Sequence, residues 1–186
     1  MTLLILGLLL WASVHFIPSL AIPLQIKWKT TLGENGYKIS FALLMVLSLV
    51  MIVFGWRSIS PTLLYLPAEA ARPVTIILMV IAFLLFGASH SVTRIKKLVR
   101  HPQLTSVIVW SIAHLLSNGE NRSVVLFGSL GAWALLEIFA INRREGPQGE
   151  ISIPSWLGEI KGIAISLVIF SVVVFAHPYI AGVALK

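Results

Sequence analysis

The stretch I-S-F-A-L-L-M-V-L-S-L-V-M-I-V-F-G-W, Ile39–Trp56, contains no charged side chain and decides the fold class. A helix of roughly 20 apolar residues crosses the hydrocarbon core of a bilayer, because each residue adds about 1.5 Å to a thickness of about 30 Å. The whole chain agrees with this pattern: of its 186 residues, 58% are hydrophobic and 11% are charged. Soluble domains are usually about 45–50% apolar. The sequence therefore predicts an all-α integral membrane protein.

Apolar stretches of similar length recur along the chain and predict a bundle of about six transmembrane helices. Their bounds are Leu3–Pro23, Ile39–Trp56, Val74–Ser91, Leu104–Ser117, Val124–Ile141 and Ile163–Gly182. The fourth is the shortest, so it is expected to tilt, to be shielded by its neighbours or to be partly re-entrant, and five spans are the alternative. The first lacks a preceding basic region and a cleavage site, which favours a retained helix over a signal peptide. The loops are short, and residues 1–186 are expected to form a single transmembrane domain.

Lysine and arginine residues predict how the helices are oriented. With six alternating spans, one side of the membrane carries ten of them: Lys27, Lys29, Lys38, Arg94, Lys96, Lys97, Arg100, Arg143, Arg144 and Lys161. The other side carries four: Arg57, Arg72, Arg122 and Lys186. Cytoplasmic loops of membrane proteins are enriched in basic residues, so the first side is predicted to be cytoplasmic and both termini periplasmic.

Several classes of function lack the residues that they need. The chain has no cysteine, which excludes disulfides, thiolate metal sites and thiol nucleophiles. Its net charge of +7 is spread between apolar stretches and forms no basic patch, so nucleic acid is not an expected partner. Glycine-rich phosphate loops, paired catalytic carboxylates and serine hydrolase elbows are also missing from the sequence.

Two histidines are predicted to lie deep in the membrane. His15 falls about 18 Å below the outer face and His114 about 15–18 Å above the inner face, which places both near the midplane. Each follows a tryptophan by four residues, in W-A-S-V-H from Trp11 and W-S-I-A-H from Trp110. This spacing puts each indole one helical turn from its imidazole.

The two buried histidines have two interpretations. Ionisable residues in a bilayer interior usually face a cavity or a partner, and two neutral imidazoles on facing helices are suited to clamp a haem iron. Alternatively, each histidine hydrogen-bonds a neighbouring helix and contributes to packing alone. The residues by themselves leave both interpretations open.

Other ionisable residues are predicted to lie nearer the membrane surfaces. His90 and His101 are expected near the cytoplasmic face, and His177 toward the outer end of the last helix. Arg100 and His101 precede a proline that suits a helix start, so they either mark a helix boundary or meet a propionate, headgroup or substrate at the rim. Glu137 lies inside a span and is expected either to pair with Arg143 or Arg144 or to carry a proton beside a cofactor.

Several sequence blocks together resemble the NnrU family of bacterial membrane proteins. They are R-H-P-Q-L at Arg100–Leu104, W-S-I-A-H-L-L-S-N-G at Trp110–Gly119, L-F-G-S at Leu126–Ser129, His15, Arg72–Pro73, and H-P-Y-I-A-G at His177–Gly182. The blocks cover nearly the whole chain. They are also similar, more distantly, to the plant and cyanobacterial 15-cis-zeta-carotene isomerase.

The resemblance implies a cofactor and a cellular context. The isomerase holds haem b between a first-helix histidine and the histidine of W-x-x-x-H, which correspond here to His15 and His114. Trp11, Trp110, Arg100 and His101 are then expected around the haem. The bacterial family implies the inner membrane and nitrogen-oxide or denitrification metabolism, and the isomerase implies redox-gated isomerisation of a lipid-soluble substrate. Ser111 stands where the isomerase has a cysteine, which puts ligand switching by that residue, and the isomerase activity, in doubt.

Two other functions remain as alternatives. R-H-P also begins a motif of membrane methyltransferases that modify lipids, although Thr105 and Ser106 replace the expected glycine and no downstream Arg-Glu-Glu cofactor motif follows. The chain is alternatively a non-enzymatic assembly partner of a respiratory complex. Neither the substrate nor the oligomeric state is fixed by the sequence.

Overall fold

The computed structural model describes residues 1–182, which form seven helices. They are α1 Thr2–Leu20, α2 Ile22–Arg57, α3 Ala71–Ser89, α4 Ile95–Leu98, α5 Pro102–Ser117, α6 Asn121–Glu145 and α7 Trp156–Ala181. The part of the chain described contains no strand, and its single β-bridge joins Leu63 to Glu120. The predicted all-helical fold is therefore confirmed.

Five of these helices are long and apolar enough to cross a membrane, namely α1, α2, α3, α6 and α7. The fourth predicted span corresponds to α5, which has 16 residues and falls below that length. It packs between α3 and α6, an arrangement that agrees with shielding by its neighbours, one of the three alternatives expected for this span. The length and apolar composition of these five helices are therefore suited to a lipid bilayer.

The first predicted span extends to Pro23, whereas α1 ends at Leu20. The second predicted span begins at Ile39, whereas α2 already begins at Ile22. The break between α1 and α2 lies at Ala21, and α2 starts at Ile22 with Pro23 in its first turn, where a proline costs no hydrogen bond. Gly33 interrupts α2 with φ 72° and ψ 169°, a conformation that favours glycine. The segment that carries Lys27 and Lys29 is therefore a helix, where the sequence predicted a loop.

The main helix contacts follow the spatial order α2, α1, α6, α5, α3, α7. Between α1 and α2, Leu4, Leu8, Ile52 and Ile59 form a buried core. Trp11 and side chains of α6 pack against this core. The helix α6 therefore has α1 on one side and α5 on the other, which decides where the two candidate histidines lie.

Polar contacts at the helix ends show which ends lie together. Arg144 donates to the carbonyl of Pro18 at the end of α1. His101, before α5, contacts Asn142 of α6 at 2.8 Å. The Arg94 guanidinium lies 3.9 Å from the ring centre of Trp156 at the start of α7. We call this end of the bundle the basic end.

The opposite end is closed by the loop between α2 and α3. The Thr62 amide donates to the side chain of Asn121 at 3.2 Å, and the Leu64 amide donates to the Gly119 carbonyl at 2.7 Å. Arg57, Arg72 and Arg122 lie toward this end, while Lys186 lies outside the described residues. The two groups of basic residues that the sequence separated therefore lie toward opposite ends of the bundle.

Candidate functional site

The first candidate histidine lies in an aromatic cluster between α1, α2 and α6. The centre of the His15 ring is 4.3 Å from that of Trp11, 4.9 Å from that of Trp133 and 5.7 Å from that of Phe41. Its Nδ1 lies 2.9 Å from the carbonyl oxygen of Trp11, one turn earlier in α1. A carbonyl only accepts hydrogen bonds, so Nδ1 carries the hydrogen. In the neutral ring, Nε2 is then the atom with the lone pair.

The second candidate histidine repeats this arrangement on α5. His114 Nδ1 lies 2.9 Å from the Trp110 carbonyl oxygen. Its ring stacks on Phe127 of α6 with centres 4.4 Å apart and planes at 29°. Trp110 contacts the same phenylalanine at 4.8 Å. The four-residue spacing noted in the sequence therefore has a structural role, because each tryptophan supplies both a neighbouring ring and the carbonyl that orients the imidazole.

Each of these two imidazoles has the tautomer that a metal-binding histidine uses. In residues 1–182, neither Nε2 has a hydrogen-bond partner. Histidine ligands of metals usually donate the other ring N–H to a carbonyl or carboxylate, which fixes the tautomer and the ring direction. Both imidazoles have that second hydrogen bond in place.

The structure does not bring the two imidazoles into contact with each other. His15 contacts Trp133 and His114 contacts Phe127, six positions apart on α6. Six residues correspond to about 9 Å along the helix and about 120° around it. No ring contact joins His15 to His114 in the described part of the chain, and no group of three metal-binding side chains forms there. Each histidine therefore belongs to its own aromatic cluster beside α6.

A third histidine lies near the second cluster. His177, in the last turns of α7, lies near enough to His114 that the two rings would repel each other if both were protonated. The sequence placed His177 at the outer end of the last helix without assigning it a partner. The helix order brings the C-terminal parts of α5 and α7 to the same end of the bundle.

The rim residues Arg100 and His101 both bind α6. Arg100 donates to the carbonyl of Gly146 at 2.5 Å and pairs with Glu145 at 3.2 Å, and His101 Nε2 contacts the Asn142 side chain. These contacts hold the start of α5 against the end of α6. Ser111, at the position of the isomerase cysteine, is 2% exposed, and its hydroxyl has no hydrogen-bond partner among the described residues.

A groove of about 230 Å³ lies between α1 and α6, beside the His15 cluster. Trp11, Phe16 and Trp133 line it together with aliphatic side chains. The indole N–H groups of Trp11 and Trp133 are buried and have no hydrogen-bond partner in residues 1–182. The groove is apolar and open at one side.

Sequence reasoning missed the aromatic residues that complete both clusters. Phe41, Phe127 and Trp133 come from helices other than those of the histidines, and no spacing in the sequence relates them to His15 or His114. A weak indication was present, because Trp133 is a tryptophan in the middle of a predicted span rather than at its end.

Comparison with known proteins gives one match. The family model described as NnrU protein matches residues 3–185. No curated protein and no solved structure matches the chain.

Proposed function

The chain belongs to the NnrU family, and on that premise we propose that it is a multi-pass membrane protein that binds haem b through His15 and His114. The observation that carries the proposal is the hydrogen bond from each Nδ1 to a tryptophan carbonyl one turn earlier, at 2.9 Å in both cases. It leaves Nε2 of each neutral ring as an electron-pair donor, as iron ligation requires.

The residues around the histidines have complementary roles in this proposal. The carbonyls of Trp11 and Trp110 hold the imidazoles in one orientation. The rings of Trp133 and Phe127 keep water away from them, which favours an apolar porphyrin over a hydrated metal ion. Arg100 and His101, which bind α6 at the basic end, are the candidate partners for the haem propionates.

Haem b, when bound, supplies one-electron redox chemistry. His15 and His114 would together hold the haem, and chemistry on a substrate would need one of these two imidazoles to be detached from it. We therefore assign electron transfer or sensing in nitrogen-oxide metabolism to the state in which both His15 and His114 would hold the haem. Redox-gated isomerisation of a lipid-soluble molecule is assigned to the detached state, with the α1–α6 groove as its place of entry.

A second candidate ligand pair is His114 with His177, because the C-terminal parts of α5 and α7 lie at the same end of the bundle, where these two imidazoles come near each other. In this alternative His114 keeps its role, and the partner imidazole comes from α7 instead of α1. The two pairs make different predictions for single substitutions, so one set of variants distinguishes them.

The proposal is tested by the visible spectrum of the purified protein before and after dithionite. A Soret band is expected in the parent protein, because neutral imidazoles bind haem iron, and it should be lost in His15→Ala and in His114→Ala. Loss in His114→Ala and His177→Ala, with His15→Ala unaffected, would select the second pair. A colourless protein that takes up no added haem would overturn both.

His90→Ala is the matched control, because His90 caps α3 and contacts Phe86, away from both clusters. It should keep the band. If His90→Ala lost the band as fully as the other variants, the losses would report unfolding and the assignment of ligands would fail.

We also propose that α5 crosses the membrane despite its length, which gives six spans with both termini on the periplasmic side of a bacterial inner membrane. His101 lies level with Asn142 of α6, and Asn118 lies three residues before Asn121, where α6 starts, so α5 and its flanks run beside most of α6. The basic end then faces the cytoplasm.

A further inference from the structure

One buried acidic side chain lies outside both histidine clusters. The chain has seven acidic residues, all glutamate, and in the part that the structure describes Glu137 alone is buried, at 6% exposure. The sequence favoured an ion pair with Arg143 or Arg144, but within residues 1–182 Glu137 forms no ion pair. Arg144 acts on it electrostatically while donating its hydrogen bonds to Pro18 and Glu145.

The hydroxyl of Ser19 joins Glu137 to α1. Ser19 Oγ lies 3.1 Å from Glu137 Oε2 and 3.2 Å from the carbonyl oxygen of Phe16. A serine hydroxyl has one hydrogen, whereas a carbonyl and an ionised carboxylate both only accept. With ionised Glu137, the two contacts would share that single hydrogen.

A protonated Glu137 satisfies both contacts. Its O–H then donates to Ser19 Oγ, and the Ser19 O–H donates to the Phe16 carbonyl. Burial acts in the same direction, because an ionised carboxylate without a paired cation is far more costly to bury than a neutral, hydrogen-bonded carboxyl group. Burial therefore favours the protonated carboxyl group, while the charge of Arg144 and any hydrogen bond that Ser19 donates favour the ionised one.

Glu137 and Ser19 lie beside the groove and toward the basic end of the bundle. Glu137 follows Trp133 by one turn of α6, and its neighbour Leu136 lines the groove. Ser19 follows His15 by one turn of α1, toward the basic end. On the two helices that form this interface, the charged and titratable groups near the pair are His15, one turn away, and Arg144.

We propose that Glu137 and Ser19 form a proton-exchange site inside the bundle. Glu137 holds the proton, Ser19 positions the carboxyl group, and the proton passes to and from water at the basic end, where Arg144 lies. No electron is transferred: the carboxyl O–H bond breaks, leaving a carboxylate, and water takes up the proton as hydronium, or the reverse. The site needs no cofactor.

Infrared spectroscopy of the purified protein in an ester-free detergent such as dodecyl maltoside tests this proposal, because the ester carbonyls of phospholipids would absorb in the same region. A protonated carboxyl group absorbs above the amide I band, in a region free of ionised carboxylates. The parent protein at neutral pH is expected to show such a band, which Glu137→Gln should abolish. In D₂O the band should move to lower wavenumber, because a proton in contact with the solvent end exchanges.

Two further variants keep the test decisive. Glu145→Gln, which removes an exposed glutamate paired with Arg100 and Arg144, should leave the band unchanged. Ser19→Ala should keep the band and raise its wavenumber, because the carboxyl group loses its hydrogen-bond acceptor. This shift identifies the group even if Glu137→Gln fails to fold.

Absence of the band in the parent protein would overturn the proposal, as would a band that survives Glu137→Gln or that does not shift in D₂O. Because the measurement requires no haem, a colourless protein that shows the band would refute the proposed cofactor and leave the proton-exchange site in place.

Discussion

Individual residues in this protein often have two structural roles, one through the side chain and one through the backbone or a second contact. The tryptophans before His15 and His114 contribute a ring to an aromatic cluster and a carbonyl to orient the imidazole. At the basic end, Arg100 both pairs with Glu145 and donates to the exposed carbonyl end of α6, where a cation is favoured by the helix dipole. At these residues, a motif recognised in the sequence also makes contacts that stabilise the fold.

Arg100→Gln should weaken the junction between α5 and α6. It removes a charge-assisted hydrogen bond to Gly146 and an ion pair from a side chain that is 22% exposed, which should cost about 1–2 kcal/mol. The thermal unfolding midpoint in detergent should fall accordingly.

Arg57→Gln is the control for this substitution, because Arg57 is exposed at the opposite end and forms no ion pair in the described chain. Equal midpoints for the two variants would show that the contacts of Arg100 contribute nothing to stability. If Arg100→Gln also lowers haem content while its midpoint is unchanged, the side chain acts on the cofactor and not on the helix junction.

At the scale of helices, close approach of small residues arranges the bundle. A Cβ atom at Gly55 of α2 would overlap the backbone of Leu4, and one at Gly7 of α1 would lie 2.9 Å from Ile52 Cγ1. Lipid tails are as apolar as leucine, so membrane helices associate through tight packing rather than through the hydrophobic effect. These glycines allow α1 and α2 to pack with their backbones close together.

Gly55→Ala is therefore expected to force α1 and α2 apart and to destabilise the protein by about 1–3 kcal/mol, as overpacking does. Its thermal midpoint in detergent should fall. Gly128→Ala, in α6, is the matched control, because a Cβ atom there meets nothing within 4 Å and alanine is favoured over glycine in a helix by about 1 kcal/mol. A midpoint for Gly55→Ala equal to that of Gly128→Ala would contradict the close contact.

At the scale of the whole molecule, basic residues are distributed unevenly between the two ends of the bundle. Most of the 14 lysines and arginines lie toward the basic end, which gathers the loop before α5, the loop before α7 and the turn after α1. The opposite end gathers the loop before α3 and the turn between α5 and α6. Because cytoplasmic loops are enriched in basic residues, the basic end is expected on the cytoplasmic side of the membrane and the opposite end on the other side.

Because the chain has no cysteine, single cysteines report topology without background. Lys97→Cys and Glu69→Cys replace exposed residues at the two ends. A membrane-impermeant maleimide should label Glu69→Cys in intact spheroplasts and Lys97→Cys only in inverted vesicles, as the positive-inside rule requires. Labelling of both variants from one side would contradict the six-span arrangement.

The sequence by itself predicted that the chain lies in a lipid bilayer, that it is made of apolar helices, and that each of the two histidines lies next to a tryptophan on its own helix. These are properties of a single segment, since apolar length predicts a span and a four-residue spacing predicts neighbours on one helix face. The tertiary structure alone decided that Phe127 and Trp133 complete the two aromatic clusters, that His101 contacts Asn142, and that Ser19 rather than an arginine contacts Glu137. In a bilayer both the lipid-facing and the protein-facing sides of a helix are apolar, so hydropathy does not reveal which helix lies next to which. That order depends on close fits between helices, such as the backbone of Gly55 against that of Leu4.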